Sequence, residues 1–210
     1  MCGITGFLGG DCTNTTLNES TLLDMADQLL TRGPDSSGIW LDASAKIGLA
    51  HKRLAIVDLS AAGHQPMSSA SDRYVITYNG EIYNSSEIRH DLTSARLQPK
   101  WRGHSDTETL LAAFDVWGIK ETITRVKGMF AIAVWDKECK ELSLVRDRIG
   151  EKPLYYGWQG SGSKRTFLFG SELKALKRHS SFTNDIDRAS LALYMRYCYV
   201  PTPVSYTHLT

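Results

Sequence analysis

The chain begins Met1-Cys2-Gly3-Ile4-Thr5-Gly6-Phe7-Leu8-Gly9-Gly10, a cysteine followed at once by a short apolar strand candidate that two glycines end. Cys2 is small enough to permit removal of the initiator methionine. Once Met1 is gone, Cys2 carries a thiol and a free α-amine on one residue. An α-amino group titrates near ~7.7–8.0, far below a lysine, so it is a usable general base at neutral pH beside its own nucleophile. A thiol of pKa ~8.5 is already a few per cent thiolate. The dipeptide alone decides nothing; the rest of the chain gives it weight.

Working outward, Leu22, Leu23, Ala26, Leu29 and Leu30 recur at helical spacing. They predict a helix capped near Asn18 that stops at Gly33-Pro34. Gly38–Leu41, Lys46–His51 and Tyr74–Tyr78 read as strands, the last ending in Asn79-Gly80. Asn84-Ser85-Ser86-Glu87 and Ser105-Asp106-Thr107-Glu108 have the pattern of capping boxes. They predict helices toward Leu97 and toward Trp117, the second stopping at Gly118. Strands then dominate: Met129–Trp135, Glu141–Arg146, Leu154–Trp158 and Thr166–Phe169. Ser171 and Asp187 are expected to cap two further helices, the second reaching Tyr197. Strands with their own turns and helices grouped between them predict an α+β fold with a largely antiparallel sheet system. Phosphate-binding glycine loops are absent.

The 210 residues are 42% hydrophobic, enough for one domain with a real core. Net charge is +1, from 24 basic and 23 acidic residues, and no basic stripe implies nucleic acid or an acidic membrane surface. No apolar run is long enough to span a bilayer, and with no charged region followed by an apolar stretch at the start, no signal peptide is expected. Cys2, Cys12, Cys139 and Cys198 form no CxxC pair, and His51, His64, His90, His104, His179 and His208 are scattered singly, so no metal site is expected. The chain reads as cytoplasmic with reduced thiols.

Several strings in fixed order carry a stronger message: Met1–Ile4, Arg32-Gly33-Pro34-Asp35, His51–Asp58 (HKRLAIVD), Tyr78–Asn84 (YNGEIYN), Ser105–Glu108 (SDTE), Gly128–Trp135 (GMFAIAVW), Arg146–Tyr156 (RDRIGEKPLYY) and Phe169–Leu176 (FGSELKAL). Together they resemble the glutaminase domain of asparagine synthetases, a class of N-terminal-cysteine glutamine amidotransferases. The resemblance covers about residues 1 to 203. It implies the N-terminal nucleophile hydrolase fold, two antiparallel β-sheets packed between helical layers (αββα). It also implies hydrolysis of L-glutamine to glutamate and ammonia through Cys2.

The resemblance assigns the remaining parts. Asn79-Gly80 fits an oxyanion hole, an Asn side-chain NH₂ and a Gly backbone N–H converging on one oxygen; without the family the pair reads as a hairpin turn. Arg53 is the expected clamp on the glutamine α-carboxylate, since a guanidinium binds a carboxylate bidentately. Leu54 and Ile56 would line the pocket. Asp106 is the expected partner of the substrate ammonium, with Glu81 a second candidate; Asp106 also suits the first turn of a helix, where the dipole favours an acid. Arg32–Asp35 is assigned architecture, the Arg146–Tyr156 run packing against the rest of the enzyme, and His51 and His64 structural roles.

In this family the glutaminase is joined to an ATP-dependent synthetase that uses Mg²⁺ and receives the ammonia. The expected division is residues 2–185 for the glutaminase domain, 186–203 for the lead-in to a missing synthetase domain, and 204–210 (VSYTHLT) for a tail that does not match, as in a truncated fragment. No cofactor is expected for the glutaminase itself. A homodimer, another ammonia acceptor, an acylase of a different amide, and a non-catalytic regulatory or dimerising domain remain as alternatives.

Overall fold

Period-2 alternation in the strands sorts the chain into layers. The computed structural model describes residues 1–10, 15–56, 60–162, 165–184, 186–199 and 208–209. Its strands are β1 (Gly3–Gly9), β2 (Ser36–Asp42), β3 (Ile47–Arg53), β4 (Met67–Ser68), β5 (Tyr74–Ile82), β6 (Gly128–Asp136), β7 (Glu141–Arg146), β8 (Tyr155–Gln159), β9 (Thr166–Gly170) and β10 (His208–Leu209). Its helices are α1 (Thr15–Asp27), α2 (Ser85–Ser94), α3 (Asp106–Arg125), α4 (Leu173–Leu176) and α5 (Arg188–Tyr197). One sheet runs β10-β8-β9-β1-β3-β2 and the other β4-β5-β6-β7. All pairings are antiparallel except that of β10 with β8.

The two sheets meet through Ile47, Leu49, Val75, Ala133, Trp135 and Phe169. Thr77 Oγ1 crosses the same gap to donate to the Ala50 carbonyl (3.1 Å). On the outer face of the first sheet, Phe7, Ala50 and Leu168 pack against Leu22, Met25, Ala26 and Leu29 of α1 and its exit, and against Ala175 and Leu176 of α4. On the outer face of the second, Tyr74, Ile76, Tyr78, Phe130, Ile132 and Val134 pack against α2 and α3 through Ile88, Leu92, Leu110, Leu111 and Phe114. This is the expected αββα arrangement. Each fully buried Phe (Phe7, Phe114, Phe169) contributes roughly 1.5–3 kcal/mol of hydrophobic stabilisation.

Local expectations fare unevenly. β5 does not end at Asn79-Gly80: the strand runs to Ile82, with Asn79 opposite Ala131 and Gly80 opposite Phe130. Tertiary pairing with β6 overrides the turn propensity of the dipeptide. α1 begins before Asn18 and ends at Asp27, after which tight turns carry the chain to Gly33. Leu23 and Leu30 face solvent, and Met25 takes the core position instead. Asn84 is no side-chain cap; its amide donates to the Arg125 carbonyl (3.1 Å) and accepts from the Lys127 amide (2.8 Å), tying α2 to the end of α3. Ser105 does cap α3, accepting from the Glu108 amide (3.3 Å), but the Glu108 carboxylate turns to the amides of Arg102 (2.7 Å) and Gly103 (3.0 Å). Gly118 breaks α3 with φ 76° and ψ 166°, so the first helical segment ends there as expected and a second segment runs on to Arg125. Ser171 is not the cap of α4; its hydroxyl accepts from the Ile4 amide (3.0 Å) and fixes the start of β1. Asp187 caps α5 as expected, accepting from Ala189 (2.8 Å).

Candidate functional site

Where β4 stops, the edge of β5 is left open beside the start of β1, and a cavity forms there. Cys2 stands at its floor. The Leu54 amide donates to Cys2 Sγ (3.4 Å), and the thiol donates to the Leu54 carbonyl (3.7 Å). The Cys2 carbonyl accepts from Arg32 Nε (3.0 Å), while Arg32 Nη1 pairs with Glu172 Oε1 (3.0 Å). The segment expected to be architecture thus holds the Cys2 end of the chain. Asp35 does the same for the cavity wall: its amide donates to the Arg53 carbonyl (3.0 Å), and its carboxylate accepts from the Ala55 amide (2.7 Å).

β5 supplies the opposite side. Val75, Thr77 and Asn79 point between the sheets by strand alternation. Asn79 is buried, and its Nδ2 has no hydrogen-bond partner among the described residues. An unpaired buried amide costs about 1–3 kcal/mol, and this one belongs to a residue of the cavity wall, where a ligand acceptor would satisfy it. Gly80 adds a second donor. Phe130, its partner, turns both backbone groups away: its N–H donates to Asp147 Oδ2 (3.2 Å), and its carbonyl accepts from the Asp147 amide (2.8 Å). Gly80 therefore sits in a non-hydrogen-bonded pair, with its own N–H on the open edge. A Cβ at Gly80 would collide with the Met129 carbonyl oxygen, so no other residue fits there unless the strands part.

Asp106, the first residue of α3, brings a carboxylate to the same cavity. Its Oδ2 accepts from the Tyr78 hydroxyl (2.7 Å) and the Ile82 amide (3.0 Å). Burial first, then the adjacent Asp106 charge, pushes the Tyr78 phenol well above its ordinary range, so it remains a donor. Arg53 lies at the end of β3 with Nη1 donating to the Ser60 carbonyl (3.0 Å).

All eight residues singled out in the sequence — Cys2, Arg53, Leu54, Ile56, Asn79, Gly80, Glu81 and Asp106 — line this one cavity. Leu54 and Ile56 are not core residues; Ile56 is 73% exposed and forms part of the rim. Val57 and Asp58 of the HKRLAIVD string lie outside the described residues. Glu81 is exposed at the mouth.

The wall also contains Gln65, Tyr78, His51 and Lys152, to which the sequence reading gave no role in the site. Gln65 Oε1 accepts from the Tyr78 amide (2.7 Å), and its Nε2 donates to Thr107 Oγ1 (3.1 Å). No sequence signal marks it. His51 is buried, with Nε2 against the Tyr78 carbonyl (3.1 Å). Burial pushes it down to about 3, the Tyr78 bond opposing only part of that; it stays neutral, as a structural histidine should. The Arg146–Tyr156 run reaches the site rather than only packing elsewhere. Asp147 gathers the amides of Ile149, Gly150, Glu151 and Lys152 at 2.6–3.1 Å. Lys152 is thereby set in the cavity wall, and Leu154 packs against Ile4 and Ala131.

A cysteine thiol at a strand start, in one cavity with an unpartnered amide donor between two sheets flanked by helices, defines a candidate amide-processing site. Comparison with known proteins makes this specific. Residues 1–209 match the glutamine amidotransferase domain, and the chain belongs to that family. It is 40% identical over 200 residues to the glutamine-hydrolysing asparagine synthetase 3 of Bacillus subtilis, covering 91% of this chain and 30% of that protein. It is 32% identical over 225 residues to the putative glutamine-hydrolysing asparagine synthetase 2 of Methanocaldococcus jannaschii, covering 98% and 41%. The chain thus spans about a third of the length of these relatives. The solved glutamine phosphoribosylpyrophosphate amidotransferase of B. subtilis shares the fold, with a TM-score of 0.64 at 19% identity over 84% of this chain and 43% of that one.

Proposed function

We propose that this chain hydrolyses L-glutamine to glutamate and ammonia with Cys2 as nucleophile. The observation that carries the reading is the Cys2 sulfur in one cavity with the unpartnered Asn79 amide, the Arg53 guanidinium and the Asp106 carboxylate. Arg53 takes the α-carboxylate and Asp106 the α-ammonium. After removal of Met1, the Cys2 α-amine accepts the thiol proton and the sulfur attacks the side-chain amide carbon. Asn79 Nδ2 and the Gly80 N–H hold the developing oxyanion. The amine passes its proton to the leaving nitrogen, and the C–N bond breaks to release ammonia. Water, deprotonated by the same amine, then cleaves the γ-glutamyl thioester, giving glutamate and free thiol.

The identity to asparagine synthetases supports a place for this reaction as the ammonia-supplying half of an ATP- and Mg²⁺-dependent asparagine synthetase. In that reading residues 2–185 form the glutaminase domain and 186–203 lead toward a synthetase domain, with assembly as a homodimer in the cytoplasm. The glutaminase step itself needs no cofactor. Among the described residues no helix is long and apolar enough to cross a membrane.

The test is glutamate release from L-glutamine by the purified chain, beside Cys2→Ala, with loss of Met1 checked by intact mass. Release by the parent alone supports the reading. Turnover of N-acyl substrates in preference to glutamine would favour the acylase alternative. A folded, processed parent that releases no glutamate would refute an independently active glutaminase.

A further inference from the structure

Tyr78 is held at three points. Its amide donates to Gln65 Oε1 (2.7 Å), its carbonyl meets His51 Nε2 (3.1 Å), and its hydroxyl donates to Asp106 Oδ2 (2.7 Å). Gln65 is itself anchored on α3 through Thr107 (3.1 Å). The tyrosine is almost wholly buried, so its ring cannot swing away. At Asp106, the Tyr78 hydroxyl and the Ile82 amide both load Oδ2, and no donor among the described residues engages Oδ1. A carboxylate with one oxygen accepting two hydrogen bonds is fixed in rotation, and its other oxygen is left as the acceptor for a ligand in the cavity that Asp106 lines.

We propose that Tyr78 is the positioning residue that makes this site select a ligand bearing an α-ammonium group. The proposal rests on the assignment of Asp106 to the substrate ammonium. Tyr78 touches no reacting atom; it acts by holding Asp106 Oδ1 toward the place the ammonium occupies. The residue also links the two halves of the site, because the same rigid strand segment carries Asn79.

The experiment compares kcat/KM for L-glutamine and for 4-carbamoylbutanoate, which is glutamine without its α-amine, in the parent chain, Tyr78→Phe, Asp106→Asn and the double variant. Phe keeps the ring and removes only the hydroxyl, and turnover of the amine-free analogue reports an intact site. In Tyr78→Phe the preference for glutamine is expected to fall about tenfold, the usual scale for losing a hydrogen bond to a charged group. The loss should lie mainly in KM. Asp106→Asn should lower the preference at least as far, and the double variant no further than Asp106→Asn.

If Asp106→Asn loses the preference while Tyr78→Phe keeps it, the proposal is overturned and the reading of Asp106 stands. If Tyr78→Phe slows both substrates equally, through kcat, Tyr78 is only structural and the proposal also falls. If Asp106→Asn leaves the preference intact, the reading of Asp106 itself is wrong, and the proposal goes with it.

Discussion

The guanidinium of Arg32 bridges the carbonyl oxygen of Cys2 (3.0 Å) and, from another nitrogen, the carboxylate of Glu172 (3.0 Å). The chain end that bears the sulfur is thereby fastened to the loop before α4. Lysine has one point of charge and cannot span both partners. Arg32→Lys is expected to lower kcat about tenfold through a misplaced thiol, with KM for glutamine nearly unchanged. Steady-state kinetics separate the two, and an unaltered kcat would show that Cys2 is placed without Arg32.

Asn79 and Gly80 make opposite demands on a mutagenesis experiment. Asn79→Ala should lower kcat by about 10²–10³ if Nδ2 is an oxyanion donor, with a melting temperature no lower than the parent's, since an unpaired buried donor disappears. Gly80→Ala forces a methyl into the Met129 carbonyl and should cost about 1–3 kcal/mol of stability as well as activity. A turnover number unchanged in Asn79→Ala would remove that side chain from the chemistry.

Those two residues also show where sequence reading succeeds. The α+β, largely antiparallel character was legible in the strand and helix signals, whereas the αββα layering followed from the resemblance that the ordered motifs carry. That the eight residues would share one cavity was legible because the resemblance places them in contiguous strings. Asn79-Gly80 was ambiguous because an Asn-Gly pair carries a strong turn propensity, and only pairing with Ala131 and Phe130 keeps it in a strand. The apparent caps at Asn84 and Ser171 failed for a related reason: each polar side chain found a distant backbone partner, across 41 to 43 residues for Asn84 and 167 for Ser171. Gln65 left no trace, since its two hydrogen bonds join segments that only the fold brings together. Lys152 lay within a quoted string, but its place depends on a loop closed by Asp147.

Stability should fall on mild acidification. Burial pushes His51 down to about 3 and His179 down to about 4, from an ordinary 6.5. Between these values and 6.5 the unfolded chain binds more protons than the folded one, so unfolding free energy decreases as pH drops. The slope is at most about 1.4 kcal/mol per pH unit for each histidine, and half-buried His179 supplies the smaller part. Melting temperatures from pH 7 to 4.5 should therefore decline in the parent. The decline should be shallower in His51→Gln, which keeps a donor for the Tyr78 carbonyl, and only slightly shallower in His179→Gln. A flat profile in the parent would mean that these imidazoles become protonated in the folded state.

Asp147 provides the last test, because one carboxylate organises a whole loop. It accepts from the amides of Phe130, Ile149, Gly150, Glu151 and Lys152 at 2.6–3.2 Å. Burial alone would raise its pKa, but these backbone donors outweigh it and hold the carboxyl below the usual range. The stability this contributes is present above the ordinary carboxylate pKa and is lost as pH falls through the lowered one. Asp147→Asn keeps the shape but replaces one acceptor oxygen with a donor, leaving the Phe130 and Lys152 amides, or those of Ile149 and Glu151, without a partner; the Gly150 amide keeps the Asp147 carbonyl (3.1 Å). The expected cost is about 1–3 kcal/mol. Hydrogen exchange should quicken at the amides of 149–152 while those of β6 away from Phe130 keep their protection. Since this loop sets Lys152 in the cavity wall, glutamine turnover should fall together with that protection. Unchanged exchange at 149–152 in Asp147→Asn would show that the loop is held by the chain around it and not by this carboxylate.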